Sequence, residues 1–157
     1  KIAKLLIEKG VWDCVARNLE KFEGVDHKKI VELLIEKRAR RVVAEKFEKF
    51  KGLDHQEIAE LLIEKGVERS LVRNLEKFEG IDYQKIAELL IEKGHEYYIA
   101  RNLEKFEGLN SEVAKLLTEK GYWSVVINNL KKFEKLDSET VELLIKKVRE
   151  AEQRKND

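Results

Sequence analysis

The side chains able to do chemistry in this chain form two groups, one nucleophilic or metal-binding by type and one suited to recognition. Cys14 is the single cysteine, and a thiol acts as a nucleophile only with a base in hydrogen-bond reach. Asp13 is its neighbour, but the nearest histidine in sequence, His27, belongs to a later segment, so Cys14 reads as a small, half-buried filler. His27 and His55 hold the same place in successive segments, just after an aspartate. Packed helices lie ~8–10 Å apart, too far for both to hold one ion, and a zinc site needs further ligands. Carboxylates are abundant but alternate with lysines, as in Glu76-Lys77 and Glu92-Lys93, and read as solvated helix faces. No glycine-rich phosphate loop is present. The expectation is a non-enzymatic protein with no catalytic residue, no metal ligand and no cofactor.

Recognition chemistry is better represented. Four letters after each inter-helix position read VWDC from Val11, ARRV from Ala39, VERS from Val67, HEYY from His95 and YWSV from Tyr122, and they share almost nothing, although the letters around them recur. Within them lie Trp12, Asp13, Arg40, Arg41, Glu68, Arg69, His95, Glu96, Tyr97, Tyr98, Tyr122, Trp123 and Ser124, the candidate ligand-binding residues. Trp, Tyr and Arg are the types enriched at binding hot spots. Turns that drift without constraint collect small polar residues instead, and exposed tryptophans on a soluble surface are disfavoured unless used. Val11, Val67 and Cys14 lie near the apolar face and are expected to be partly buried.

What must position these quartets is a repeat. Gly24, Gly52, Gly80 and Gly108 follow one another at intervals of 28 residues, a period that marks stacked supersecondary units. The segments are 1–24, 25–52, 53–80, 81–108, 109–135, which is one residue short in an inter-unit loop, and a partial capping unit 136–157. In segment 53–80, Ile58, Leu61 and Leu62, with Ala59 and Ile63, predict a helix of about 12 residues. Asp54 with Glu57 three residues on supplies a capping-box start, and Gly66 a stop. Leu71, Val72, Leu75 and Phe78 predict a second, slightly shorter helix ended by Gly80. Arg38 replaces the glycine stop of segment 25–52, so 37–41 is expected to run on with less of a break. The recurring Phe22, Phe50, Phe78, Phe106 and Phe133 read as packing residues. Asn18, Asn74, Asn102 and Asn129 read as bonded to a neighbouring helix or loop.

Helices this short are marginal alone in water, so the units must stack. The predicted fold is all-α, a right-handed αα-solenoid of tandem 28-residue two-helix repeats forming one domain, 1–157. Stacking would place every quartet on one side as a continuous stripe. After Ile145 the apolar pattern thins, predicting a polar capping helix that frays into a disordered tail.

Composition agrees with a soluble binding module. The 157 residues are 43% hydrophobic, and 32 basic against 31 acidic side chains leave a formal charge of +1, no field to draw the chain onto nucleic acid or an anionic membrane. No apolar run approaches the roughly 20 residues that span a bilayer, and no leader is evident. A lone cysteine permits a reducing compartment and is compatible with the cytoplasm. The start in mid-repeat and the absence of proline and methionine suggest a trimmed or engineered chain.

The pattern resembles helical-repeat scaffold proteins over essentially its whole length. Read in register, the leading Leu53, Ile58, Leu61, the inter-helix Gly66 and Leu71 also resemble transcription-activator-like effector repeats. That resemblance implies variable inter-helix residues reading one DNA base per repeat, with Arg17, Arg73 and Arg101 one turn beyond the quartets tracking phosphates. The present unit is shorter, and its lone glycine is followed by Val67-Glu68 or His95-Glu96, where acid opposes a phosphate backbone. The preferred partner is therefore a protein or peptide, with nucleic acid the alternative and no membrane. A consensus-like designed scaffold with no natural ligand is a further alternative.

Overall fold

The computed structural model describes residues 1–155. Among them the chain is all-helical, with eleven α-helices and no strand. One isolated parallel bridge links Leu109 and Phe133. Two compact units make up the chain, Lys1–Ile81 and Asp82–Asp157. The first carries α1 (Ile2–Glu8), α2 (Trp12–Arg17), α3 (His27–Glu36), α4 (Arg40–Glu45), α5 (His55–Glu64) and α6 (Glu68–Arg73). The second carries α7 (Tyr83–Glu92), α8 (Glu96–Arg101), α9 (Ser111–Glu119), α10 (Trp123–Asn128) and α11 (Ser138–Gln153). No helix among the described residues is long and apolar enough to cross a membrane.

The odd-numbered helices from α3 onward begin on side-chain caps. Asp26, Asp54, Asp82, Asn110 and Asp137 each accept a hydrogen bond from the main-chain N–H three residues on, satisfying one of the donors a helix start leaves over. At Asp54 the box is not reciprocal, because Glu57 pairs with Lys28 at 2.8 Å instead. Each first helix ends in the bonding of a Schellman turn, as where Val67 N–H bonds Leu62 O and Gly66 N–H bonds Ile63 O. Gly66 stands at φ +77° to make that turn. Arg38 corrects the expectation of a helix that runs on. It takes the same left-handed conformation at φ +64°, α3 still ends at Glu36, and Ala39 N–H closes onto Leu34 O at 2.8 Å. The turn's hydrogen bonds and the burial of Ala39 outweigh the strain of a side chain there.

The second helix of each pair is shorter than its apolar spacing predicts. It is six α-helical residues followed by a three-residue 3-10 turn, as in Glu68–Arg73 and Leu75–Lys77. The break does not require asparagine, since α4 gives way to its 3-10 turn in the same way at Lys46. Asn18, Asn74, Asn102 and Asn129 donate Nδ2–H to the carbonyl four residues earlier, of Cys14, Ser70, Tyr98 and Val125. They therefore close their own helices rather than reach a neighbouring one. The residue missing from segment 109–135 is also placed differently. Asn110 sits 28 residues after Asp82, as in the other segments, and α9 itself is one residue shorter than α7, nine against ten.

Burial follows the apolar periods. In the first unit Ile58, Ala59, Leu62, Ile63, Leu71, Val72, Leu75 and Phe78 are all 2% exposed or less, with α1 on α3 and α2 on α4, and α6 following on α4. Phe47 stacks on Phe78 with ring centroids 4.0 Å apart. In the second unit α9 packs on both α10 and α11. Phe50, Phe78, Phe106 and Phe133 are buried, while Phe22 is half-buried. Hydrogen bonds tie α3, α5, α7 and α9 to the loops that follow them. His27 Nδ1 accepts from Lys51 N–H and His55 Nδ1 from Glu79 N–H, at 2.6 and 2.8 Å. In the second unit Gln84 accepts from Asn110 N–H and Ser111 from Asp137 N–H, at 2.9 and 3.0 Å.

The last helix differs from a polar cap. It stays helical to Gln153, and Val141 and Ile145 are 40% and 46% exposed, forming with Leu130 one wall of an apolar groove of about 440 Å³. Their counterparts Ala114, Thr118 and Leu103 are buried; α11 covers α9, and no described helix follows to cover α11. Asn156 and Asp157, the end of the expected tail, lie outside the described residues.

Candidate functional site

The quartets do not present their four letters alike, and the helix ends explain why. The first letter is the residue immediately before the second helix. Ala39 and Val67 are buried there, His95 and Tyr122 are half-buried, and Val11 is 40% exposed. Val67 was expected to be partly buried and is nearly wholly so, because α4 and α5 both pack against its helix. Val11 departs in the other direction and is exposed.

At the second letter the side chain turns back onto helix ends. Trp12 Nε1–H donates to Ile7 O at 2.9 Å, and Arg40 Nε–H donates to Ile35 O at 3.3 Å. A second guanidinium nitrogen of Arg40 donates to Lys65 O, where α5 ends. A cation placed on two helix C-termini is favoured by the carbonyls left over there and by their dipoles. Glu68 is buried, at 7% exposure. Glu96 pairs with Lys120 at 3.3 Å, beside the end of α9. Its own main-chain N–H, and then Lys120, hold its carboxyl below the usual range, against the opposing pull of burial. Trp123 is half-buried. These placements set the second letter apart from the third. Both tryptophans are half-buried, Glu68 is inside, and Arg40 and Trp12 have donors committed to main-chain carbonyls.

The third letter faces outward. Asp13 pairs with Arg17 one turn on, and its carboxylate raises the Arg17 pKa. Arg41 pairs with Glu45 at 3.0 Å. Arg69, Tyr97 and Ser124 are exposed. Tyr97 accepts a hydrogen bond from Arg101 Nε–H at 3.0 Å, and the guanidinium carbon lies 5.5 Å from the ring centroid, within cation–π reach. Among the fourth letters Val42, Ser70, Tyr98 and Val125 are half-buried, while Cys14 is exposed rather than the filler its type suggested.

Two groupings result, one in each unit. In the first, Arg41 and Arg69 line a hollow of about 220 Å³ together with Glu45, Ser70, Arg73 and Asn74. In the second, His95, Tyr97 and Tyr98 form an aromatic cluster with ring centroids 5.7 and 5.8 Å apart, and Arg101 lies against Tyr97. Glu45, Ser70 and Asn74 were not among the candidates. The signal for Glu45 was in the sequence, since the third letter and the residue four on share a helix face. Among the described residues, no group of three or more His, Cys, Asp or Glu could hold a metal ion. No protein-family model, no curated protein and no solved structure matches this chain.

Proposed function

We propose that this chain is a non-enzymatic binding module, a right-handed αα-solenoid of 28-residue units that engages a protein or peptide through outward residues of its short second helices. The observation that carries the reading is the division within each quartet. The second letter is turned in or tied to a helix end, whereas the third stays outward and chemically diverse, as Arg41, Arg69, Tyr97 and Ser124. Asn74, Asn102 and Asn129 close the helices that carry Arg69, Tyr97 and Ser124, leaving such residues little freedom to lose on binding, which favours affinity. The repeated pairing of a ten-residue helix with a six-residue one supports the stacked array. Against a nucleic-acid reader stand Arg17 and Arg101, two of the three recurring arginines, which are engaged by Asp13 and Tyr97.

Selection of the intact chain against a random peptide library tests this. Peptides should be enriched, and they should bind the Arg41→Ala, Arg69→Ala, Tyr97→Ala triple variant at least about tenfold more weakly, as for loss of a hot spot, with its circular dichroism melt unchanged. Enrichment of nothing, or equal binding by the variant, would reject the proposal.

A further inference from the structure

The first and last described helices, α1 and α11, leave opposite edges of the same repeating face open. On each first helix one edge carries the place of Ile58, and the other carries the places of Ala59 and Ile63, one turn apart. On α1 the second edge, Ala3 and Ile7, is buried, and α2 and α3 are the helices packed on α1. Its first edge is open. Ile2 is 68% exposed and Leu5 55%, whereas Ile30, Ile58 and Val113, at the place of Ile2, are 5% exposed or less. On α11 the edges are exchanged. Thr140, at the place of Ile58, is wholly buried, with α9 and α10 against the helix. Val141 and Ile145, at the places of Ala59 and Ile63, are the open ones.

We infer that the open edge of α11 is a docking surface for the open edge of α1 of a second copy of this chain, so that copies join head to tail. It rests on the stacking of repeats in the reading above, carried from within the chain to between chains. Ile2 and Leu5 against Val141 and Ile145 would cover apolar surface that is open on both helices. Charge selects the same occupant. Between α9 and α11, Lys115 pairs with Glu139 at 2.7 Å. Lys115 stands just before the Leu116-Leu117 pair of its helix, and Glu139 stands four residues before Leu143-Leu144. On the open edges those two places hold Glu142 on α11 and Lys1, four residues before Leu5-Leu6, and both are exposed. A second α1 seated on α11 as α11 sits on α9 thus brings Lys1 to Glu142, the same pair with its signs reversed. A second α11 seated that way has Glu139 at that place, which repels Glu142, and its matching edge is already covered. Because the two patches differ, the contact is heterologous and adds copies until a ring closes.

Sedimentation equilibrium of the full chain up to about 1 mM should show a mass that rises with concentration, with Kd on the order of 0.1–1 mM for so small a contact. Ile2→Glu with Leu5→Glu blocks the head, and Val141→Glu with Ile145→Glu blocks the tail. All four side chains are exposed, so both variants should keep the circular dichroism melt of the parent. Each blocked variant alone should stay monomeric, and their equimolar mixture should form a dimer and nothing larger, since each retains one edge. Lys1→Glu and Glu142→Lys should each weaken association about threefold, and the two together should restore it. A constant monomer mass across the range, or no dimer in the mixture, would overturn the assignment. So would a double charge variant that associates no better than the single ones. Self-association of the head-blocked variant alone would overturn it in favour of α11 pairing with a second α11. If the melts are unchanged and no association occurs, docking between chains falls while stacking within the chain stands.

Discussion

Arg38 and Gly66 occupy the same turn in successive repeats, so exchanging their types is a test of opposite signs at one backbone position. Arg38 is held at φ +64° and Gly66 at φ +77°. For a residue with a Cβ the left-handed region costs about 1–2 kcal/mol. A glycine gives back about 0.5–1 kcal/mol through the greater freedom of the unfolded chain. Arg38→Gly should therefore stabilise by about 0.5–1 kcal/mol, since Arg38 is exposed. A Cβ built on Gly66 would meet nothing within 4 Å, so Gly66→Ala carries the backbone term alone and should destabilise by a similar ~0.5–1 kcal/mol. Urea titration followed by circular dichroism at 222 nm would read both as midpoint shifts of opposite direction, with unchanged slope if only stability has moved. The thermal midpoint should move by about 1–4 °C in each sense. A lower midpoint for Arg38→Gly, or a higher one for Gly66→Ala, would refute the reasoning. Arg38 would then be contributing more through its side chain than its backbone gives up.

Two further outcomes follow from the caps and the second helices. Asp137 accepts from Thr140 N–H at 2.8 Å, and this bond, with those from the Thr140 and Ser111 side chains, lowers its pKa. A lowered folded pKa gives stability that is complete above the unfolded value of about 3.9 and lost as pH falls through the folded one. Asp137→Asn keeps the cap, so the midpoint should be little changed at neutral pH and fall less steeply below about pH 4, as urea titrations across that range would show; an equally steep fall would exclude Asp137 as a contributor. Cys14 is exposed, so the native chain should react with a thiol reagent such as DTNB as fast as the urea-unfolded chain, and marked protection in the native state would contradict its placement.

Element types were legible in the sequence wherever one physical rule acted alone. Apolar spacing located both helices of segment 53–80, and Asp54 before the apolar run marked the start of the first. Reading failed where two effects competed. Arg38 lacks the residue type that a left-handed turn favours, yet the hydrogen bonds around it impose the turn. The second helix gives way to a 3-10 turn sooner than its apolar period suggests, at Lys46 as well as at the asparagines. Sequence spacing placed the quartets at the start of the second helix but not which letter faces out. That depends on the preceding helix end: Trp12 and Arg40 reach back five residues to carbonyls whose need for a donor no letter count reveals. The arginine hollow is likewise assembled from two helices, α4 and α6, and the sequence shows which residues share a face within each helix but not that the two faces meet.

The bonds from His27, His55, Gln84 and Ser111 to the loops that follow them fix the register of each first helix against its following loop. Apolar faces rich in leucine and isoleucine are poor at this, because a helix that slides by one turn of about 5.4 Å meets another leucine and buries nearly as much. A hydrogen bond is directional and has one partner. Slippage of a first helix past its following loop would pull His55 away from Glu79 N–H, forfeiting about 0.5–1.5 kcal/mol at each joint while the apolar contact scarcely changed. Different side chains do this in the two units, histidine in the first and glutamine or serine in the second. The joint thus demands an acceptor at the right place rather than a particular residue, which leaves the alphabet at these positions open while the helix stays in register with its loop.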